Sequence, residues 1–438
     1  MKGKTNQRIP FLICVISVLL YFQLPAQEIL TVEQAVEIAL KNNYDILIAR
    51  NTAEIADRNN TIGNAGMLPR ITGNVSDNFT LNNLNQKFSN GNEIVTSGVT
   101  GNNLSAGVAL NWTLFDGLKM FATKSKLKRL DEIGELNFKE EVQTVVANVM
   151  LAYYDVVRAK QQLKAIDEAI KISEERVKLA DMKFQVGTSG KTDLLQAKVD
   201  LNAQKSSALT QRTVIEQRKA DLNNLLARNA ETDFEVSDSI PVNLQQELAT
   251  EDLDSKNFQL QAAMKNVEVA KYAKKEVFSQ FFPTLIGNLG YNYNRSNNSA
   301  GFFLVNQTNG MNAGFTLSVP LFNGLNNLRQ NKIAAIEILS SQFNLERARF
   351  QTRLNFYRAL KNFQNAKQLL ELEEENIALA DENNKIATER FRLSQSTSIE
   401  FREAQKSYID ALTRLVNARY TAKAAETELK RLRGELVR

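Results

Sequence analysis

The chain contains one unit twice. Leu114-Phe115-Asp116-Gly117-Leu118 returns as Leu321-Phe322-Asn323-Gly324-Leu325, a step of 207 residues. The same step carries Phe184 to Phe391, Ser189 to Ser396, Asp193 to Glu400, Ala197 to Ala404 and Leu222 to Leu429, without a gap. Upstream the step is 214, from Asn43-Tyr44 to Asn257-Phe258 and from Pro69 to Pro283. The seven-residue difference falls between Pro69 and Leu114, where a surface loop would tolerate an insertion. Two copies of one unit must present the same elements in the same order. We read residues 27–228 as repeat 1, 229–241 as a linker and 242–438 as repeat 2.

Each copy changes its hydrophobic period from helix to strand pair to two long helices. The first helix opens at Thr31-Val32-Glu33-Gln34, where Thr and a Gln three residues on can satisfy two free backbone donors. It is expected to run to about Gly63. Strands of period two follow, at about 70–82 and 103–115, and again at about 284–294 and 311–321. Leu104, Ala106, Val108, Leu110, Trp112 and Leu114 share one face, opposite Asn103, Ser105, Gly107, Asn111 and Thr113. Val75 and Phe79 lie opposite Thr72, Asn74, Ser76, Asn78 and Thr80; Asp77 is a charge on the apolar side.

Soluble sandwiches show the same alternation. Length and the uncharged polar row favour a membrane barrel instead. Eleven residues at about 3.3 Å each, tilted about 40°, rise roughly 28 Å, close to the apolar band of an outer-membrane barrel. The Asn-rich segments Asn82 to Asn102 and Arg295 to Gly310 are expected as external loops. Four strands cannot close a barrel, which tolerates no open edge in lipid. Two copies would give eight strands and three would give twelve.

The helices that follow are expected at about 118–186, 191–228, 325–393 and 398–433. From Lys119 to Val186 there is no proline and one glycine, Gly134. Val142, Val149, Val156, Leu163, Ile170, Val177 and Phe184 recur every seven residues, with Val145, Ala152, Ala159, Ile166, Ser173 and Ala180 three positions on. That is a coiled-coil seam, large on one row and small on the other. The second copy repeats it from Phe356 to Phe391, and the shorter helices carry complementary seams, from Leu194 to Leu222 and from Phe401 to Leu429. Each long helix therefore folds back on its successor through a turn, at Gly187 to Lys191 and at Leu393 to Ser398.

Composition narrows the chemistry. The 438 residues hold one cysteine, Cys14, and no histidine. Lys2, Lys4 and Arg8 precede an apolar run from Phe11 to Phe22, which reads as a secretory signal over residues 1–26, cut after Ala26. Of 54 Lys+Arg, 51 then remain against 49 Asp+Glu, too small an excess to point to nucleic acid. Without Cys14 the mature chain can build no disulfide, thiolate nucleophile, imidazole base or zinc-type site, and no lipid anchor on a cysteine. We expect no catalytic residues, no metal and no cofactor. Gly187-Thr188-Ser189-Gly190-Lys191-Thr192 imitates a phosphate-binding loop, but that motif needs Gly at 185, where Gln185 stands. Glu373-Glu374-Glu375 reads as a solvated helix face, and Tyr153-Tyr154 as core.

Taken in order, these features resemble the TolC-like outer-membrane efflux family. Leu30-Thr31-Val32-Glu33-Gln34-Ala35-Val36-Glu37-Ile38-Ala39-Leu40-Lys41-Asn42-Asn43 is similar to its opening helix. Leu68-Pro69 and Phe282-Pro283 resemble its entries into the strands, and Leu114-Phe115-Asp116-Gly117 its exit. Phe184, Gly187, Asp193, Leu195, Ala197 and Leu201 match its helix tip; the second copy keeps Phe391, Glu400 and Ala404 but has Ser394, Thr397 and Arg402 at positions that differ.

The resemblance implies a mostly α chain giving four strands to a trimeric 12-stranded barrel, continued by a long α-helical coiled-coil barrel. It implies an outer-membrane conduit with a large periplasmic extension, for efflux of small molecules. The implied partners are two further copies, outer-membrane lipid, a periplasmic adaptor and an inner-membrane pump. Gly187, Thr188, Ser189, Gly190, Lys191, Ser394, Gln395, Ser396 and Thr397 would meet the adaptor. Asp193, Glu400 and Glu403 would line the periplasmic aperture. An exit duct for type I protein secretion is the nearest alternative. An exported coiled-coil adaptor or structural protein is another, though neither needs duplicated lumen-like hairpins.

Overall fold

A computed structural model of the chain describes residues 29–243 and 253–437. The expected export signal and its cleavage site lie outside the described residues. The chain divides into two compact units. Of the described residues, one comprises 29–48, 140–243, 253–257 and 352–437, the other 49–139 and 258–351.

In the first unit, β1 (Ile29–Leu30) pairs in parallel with β4 (Glu235–Val236). Tyr153 fastens this join, donating from its hydroxyl to the Leu30 carbonyl at 2.9 Å and accepting from the Ser237 amide at 3.2 Å. Helix α1 (Val32–Asn42) starts at the Thr31/Gln34 capping box. It stops far short of Gly63. Asn43 turns extended, and its Oδ1 accepts from the amides of Asp45 and Ile46, so that it caps a new helix, α2 (Tyr44–Asn59). Its Nδ2 donates to the Leu225 carbonyl at 2.9 Å. One residue thus ends one helix with its backbone and, with its side chain, starts the next and anchors the junction. The repeat holds here too, since buried Asn257, between α5 (Leu253–Lys256) and α6 (Phe258–Phe278), donates to the Leu432 carbonyl at 2.9 Å.

The long helices are α3 (Lys119–Gln185) and α7 (Asn326–Arg392), 67 residues each; α4 (Lys191–Leu225) and α8 (Ser398–Leu432) return over 35 residues each. Phe356, Phe363 and Ala359 of α7 bury against Leu429 and Leu432 of α8, and Ala366 and Leu370 against Leu415, Ala418 and Ala422. In α3 the seam changes rows. Val142, Val149 and Val156 are buried, but toward the turn burial passes to Ala165, Ala169, Ser173 and Ala180. Leu194 and Ala197 fit closely on Ala180, which leaves Phe184 39% exposed where its counterpart Phe391 is 6% exposed. Glu373 departs from the expected solvated face. It is buried, and both its oxygens accept from Arg414 Nε at 3.1 Å.

In the second unit, the sheet order is β2 (Arg70–Lys87), β3 (Glu93–Phe115), β5 (Thr284–Asn298), β6 (Val305–Ser318), antiparallel throughout. The strands reach well past their expected ends. Asn82 to Asn102 is mostly ladder, with Lys87 opposite Glu93 and a tight turn closed by Gly91, rather than a loop. Arg295 to Gly310 likewise pairs as far as Asn297 opposite Val305. Outside an apolar band a ribbon needs no apolar face, so asparagine-rich sequence can remain strand where composition suggests loop.

Register explains Asp77. The ladder passes through it regularly, opposite Leu104, and the irregularity falls later, between Asn82 and Leu84. Leu104 in turn faces Arg295, which faces Gln307. Leu104 apart, this cross-strand row is polar; the next, Val75, Ala106 and Tyr293, keeps one polar member, Asn309, and the one after, Gly73, Val108, Tyr291 and Met311, has no charged or amide side chain. Leu285 to Arg295 extends about 34 Å along the strand, which the usual barrel tilt of about 40° would turn into a rise of about 26 Å, about the height of an outer-membrane apolar band. Asp77 therefore marks the edge of the band. On the opposite face Ser105 donates to Asn294, Asn288 to Thr316 and Asn292 to Asn312, so that face is exposed, uncharged and polar. Trp112 Nε1 donates to the Met67 carbonyl at 3.0 Å.

Helices α2 and α6 belong with the same part of α3. Gly134 lets α2 come close, since a Cβ there would stand 3.0 Å from the Ala56 Cβ. On the α6 side Lys126 pairs with Glu276 at 2.5 Å, and Arg129 with Glu268 and Lys265 with Glu132 at 2.7 Å.

Candidate functional site

The two helix turns of the first unit are built alike. At the end of α3 the amide of Thr188 donates to the Lys183 carbonyl at 2.9 Å and that of Gly187 to Phe184 at 3.1 Å. At the end of α7 the amide of Gln395 donates to the Arg390 carbonyl at 2.8 Å and that of Ser394 to Phe391 at 3.1 Å. Both are 6→1 and 5→2 closures that need a left-handed residue. Gly187 supplies it with φ +75°, whereas Ser394 does so with φ +60°, against the preference of a residue bearing Cβ. Gly190 begins α4 without a side-chain cap, while Thr397 begins α8 by accepting from the Glu400 amide at 3.2 Å.

The expected tip residues divide. Gly187, Thr188, Gly190, Lys191, Ser394, Gln395 and Thr397 are exposed; Ser189 and Ser396 are half-buried. The Thr188 hydroxyl turns back to the Lys183 carbonyl at 3.1 Å. Ser396 Oγ is shielded from water and has no hydrogen-bond partner.

The expected aperture residues divide as well. Glu400 and Glu403 are exposed, one turn apart on α8. Asp193 is engaged on both oxygens: Ser189 donates to Oδ2 at 2.7 Å and Ser398 to Oδ1 at 3.2 Å. Ser398 was not singled out by the sequence, and neither was Lys183. The Lys183 ammonium lies 3.9 Å from the centre of the Phe391 ring and donates to the Phe391 carbonyl at 2.6 Å. It thereby adds positive charge where the dipole of α7 ends negative. Burial pushes its pKa down. Phe391 also stacks on Phe401 at 4.8 Å. Its counterpart Arg390 is also basic but reaches back to the carbonyl of Gln395 within its own turn, so aligning the repeats gives no signal for the crossing. Lys183 and Ser398 bind one hairpin to the other, so the tips form a joined cluster of four helix ends.

The model of the outer membrane efflux protein family matches residues 35–228 and 250–435, most of the chain. The chain belongs to the outer membrane efflux protein family. Members of this family are outer-membrane channel proteins rather than enzymes, and this one is an outer-membrane channel protein for export. It is 23% identical to the outer membrane protein TolC of Vibrio cholerae over 339 residues, 76% of this chain and 77% of that one. It is 19% identical to the proteases secretion protein PrtF of Dickeya chrysanthemi, over 91% of this chain and 87% of that one. The fold is that of the Campylobacter jejuni CmeC outer membrane channel, with a TM-score of 0.76 at 18% identity over 92% of this chain and 85% of that one. A mostly helical chain with a four-stranded sheet is therefore the family architecture. Among the described residues no helix is long and apolar enough to cross a membrane.

Proposed function

We propose that three copies of this efflux protein close a 12-stranded barrel through the outer membrane and form a conduit for small molecules leaving the periplasm. One observation carries the reading. The sheet has a largely apolar face but ends on β2 and β6 with unpaired backbone, which lipid does not tolerate. Neighbouring copies would supply the missing partners. In this reading the cluster of four helix ends is the periplasmic entrance. The exposed turn residues Gly187 to Lys191 and Ser394 to Thr397 receive a periplasmic adaptor, through which an inner-membrane pump supplies energy.

Glu400 and Glu403 from three copies would place six carboxylates around the entrance. Like charges about 6 Å apart repel by roughly 0.7 to 3 kcal/mol, depending on effective dielectric, which favours bound cations. Asp193 would line the same entrance while holding its two hairpins together. Replacing Glu400 and Glu403 by Gln should weaken cation selectivity and divalent-ion block in planar bilayers; unchanged values would remove the ring from the account.

Similarity to PrtF, a proteases secretion protein, favours one second reading, an exit duct for polypeptides. A deletion strain separates the two. Small-molecule export requires a fluorescent efflux dye to accumulate in the mutant and to clear on complementation. A polypeptide duct requires a protein to vanish from the medium while dye accumulation stays unchanged.

A further inference from the structure

Repeat symmetry extends from sequence to register. Arg70 pairs with Asn111 in the first hairpin and Thr284 with Ser318 in the second, which are the same pair after steps of 214 and 207 residues. Inside the chain the repeats join along β3 and β5, where Asn111 faces Asn288 and Gly107 faces Asn292. They join again along α3 and α6 through the Lys126, Arg129 and Lys265 ion pairs. The same two steps define what an equivalent junction at the outer edges would contain.

Those outer positions are bare. Ala122, Lys126, Arg129 and Ile133 form one stripe of α3; the charged pair reaches α6, and Ala122 and Ile133 are buried. Their counterparts on α7 are Arg329, Ile333, Ile336 and Ser340, all exposed. The stripe continues into Phe343 and Phe350, 72% and 71% exposed. On the other side, the counterpart of Glu276 is Ile62, which is exposed, as is nearby Ile55. Gly117 and Gly324 show the same contrast at nearly equal φ, +69° and +66°. A Cβ on Gly117 would strike the Ser279 carbonyl oxygen at 2.5 Å and the Phe282 Cβ at 2.7 Å, whereas one on Gly324 would meet nothing nearer than 3.9 Å. The glycine recurs, but within one chain only the first has something packed against it.

We propose that copies of this chain join by repeating the internal junction in the same register, with an apolar contact between Ile333 and Ile62 where the internal junction has the Lys126–Glu276 ion pair. Strand β6 pairs with β2 of the next copy, Ser318 opposite its Asn74 and Gly314 opposite its Asn78. Ile333 packs on Ile62 of the next copy where Lys126 meets Glu276, and Gly324 receives Ala65 and Leu68, the counterparts of Ser279 and Phe282. The substitution of chemistry has a reason. The internal junction is held together by the chain itself, so ion pairs need only fix its register, whereas separate copies must gain free energy from meeting, and desolvated apolar area supplies it. The proposal rests on the trimeric reading above.

The experiment is oxidative cross-linking of full-length Ile62→Cys/Ile333→Cys protein extracted in detergent, with native mass measured in parallel. The expected result is a covalent trimer that reduction dissolves, and no ladder from Ile62→Cys/Ser340→Cys, where the second cysteine lies one heptad away, about 10 Å along the helix. A trimeric mass with no cross-link at 62/333, or with the ladder at 62/340 instead, would overturn the register and leave the trimeric channel standing. A monomeric mass would overturn both. A charge transfer gives a second reading: Ile62→Glu and Ile333→Lys each loosen the assembly, and together they restore it in a form that salt weakens at least severalfold. A double variant looser than either single one would also overturn the proposal.

Discussion

Ser398 Oγ donates to Asp193 Oδ1 at 3.2 Å, and that bond ties the first turn of α8 to the first turn of α4. The carboxylate also holds Ser189, so a single anion gathers two hydroxyls from two hairpins. Hydrogen bonds to a charged group contribute about 1.5 to 3 kcal/mol. Asp193→Ala should therefore shift the tip toward an open form by on the order of tenfold or more, and Ser398→Ala should shift it less. Single-channel conductance in planar bilayers measures both. Equal conductance in all three proteins would show that this bond does not restrain the entrance.

Ser394 occupies the left-handed position that Gly187 fills in the other repeat. A residue with Cβ holds that conformation at a cost of about 1 to 2 kcal/mol. Ser394→Gly should recover about 1 kcal/mol, offset in part by the freer unfolded chain. Gly187→Ala should cost a similar amount. Thermal melts in detergent, with protease nicking at the turn as a local probe, would register opposite signs for the two variants.

Gly134 is the close approach between α2 and α3. Gly134→Ala should be nearly neutral, because the helix-propensity gain of about 1 kcal/mol offsets a contact tight by a few tenths of an ångström. Gly134→Val adds branches toward Ala53 and Ala56 and should destabilise by about 1 to 3 kcal/mol. A melting temperature that falls for valine and holds for alanine is the expected pattern.

Glu426 is buried beside Lys430 at 2.5 Å and Lys423 at 3.2 Å, and the Asn243 amide donates to it at 3.4 Å. Burial raises its pKa, but the two lysines outweigh burial and hold the carboxyl below its ordinary value of 4.5. A lowered carboxyl pKa stabilises the fold above the unfolded value and ceases to do so as pH falls through the folded one. The native chain should thus lose stability below about pH 4.5. Glu426→Gln should lose up to about 3 kcal/mol at neutral pH by leaving the buried Lys423 ammonium uncompensated, and its melting temperature should depend less on pH below 4.5. Parallel acid limbs for the two proteins would contradict this assignment.

The sequence by itself determined the doubled unit, the alternating strands, the long heptad helices and the turns that reverse them. These are periodic properties, set by which side chains share a face, and periodicity survives in one dimension. Only the tertiary structure decided where Asn43 breaks the first helix, because that break depends on the carbonyl of Leu225, far along the chain. It alone extended the hairpins through asparagine-rich sequence, since pairing depends on the opposite strand rather than on composition. It alone aligned Asp77 with Arg295 and Gln307 at the edge of an apolar band. And it alone showed that two equivalent turns bear different loads, with Lys183 and Ser398 crossing between hairpins. A single hydrogen bond between distant residues leaves no period in the sequence, so nothing short of the folded backbone could bring those partners together.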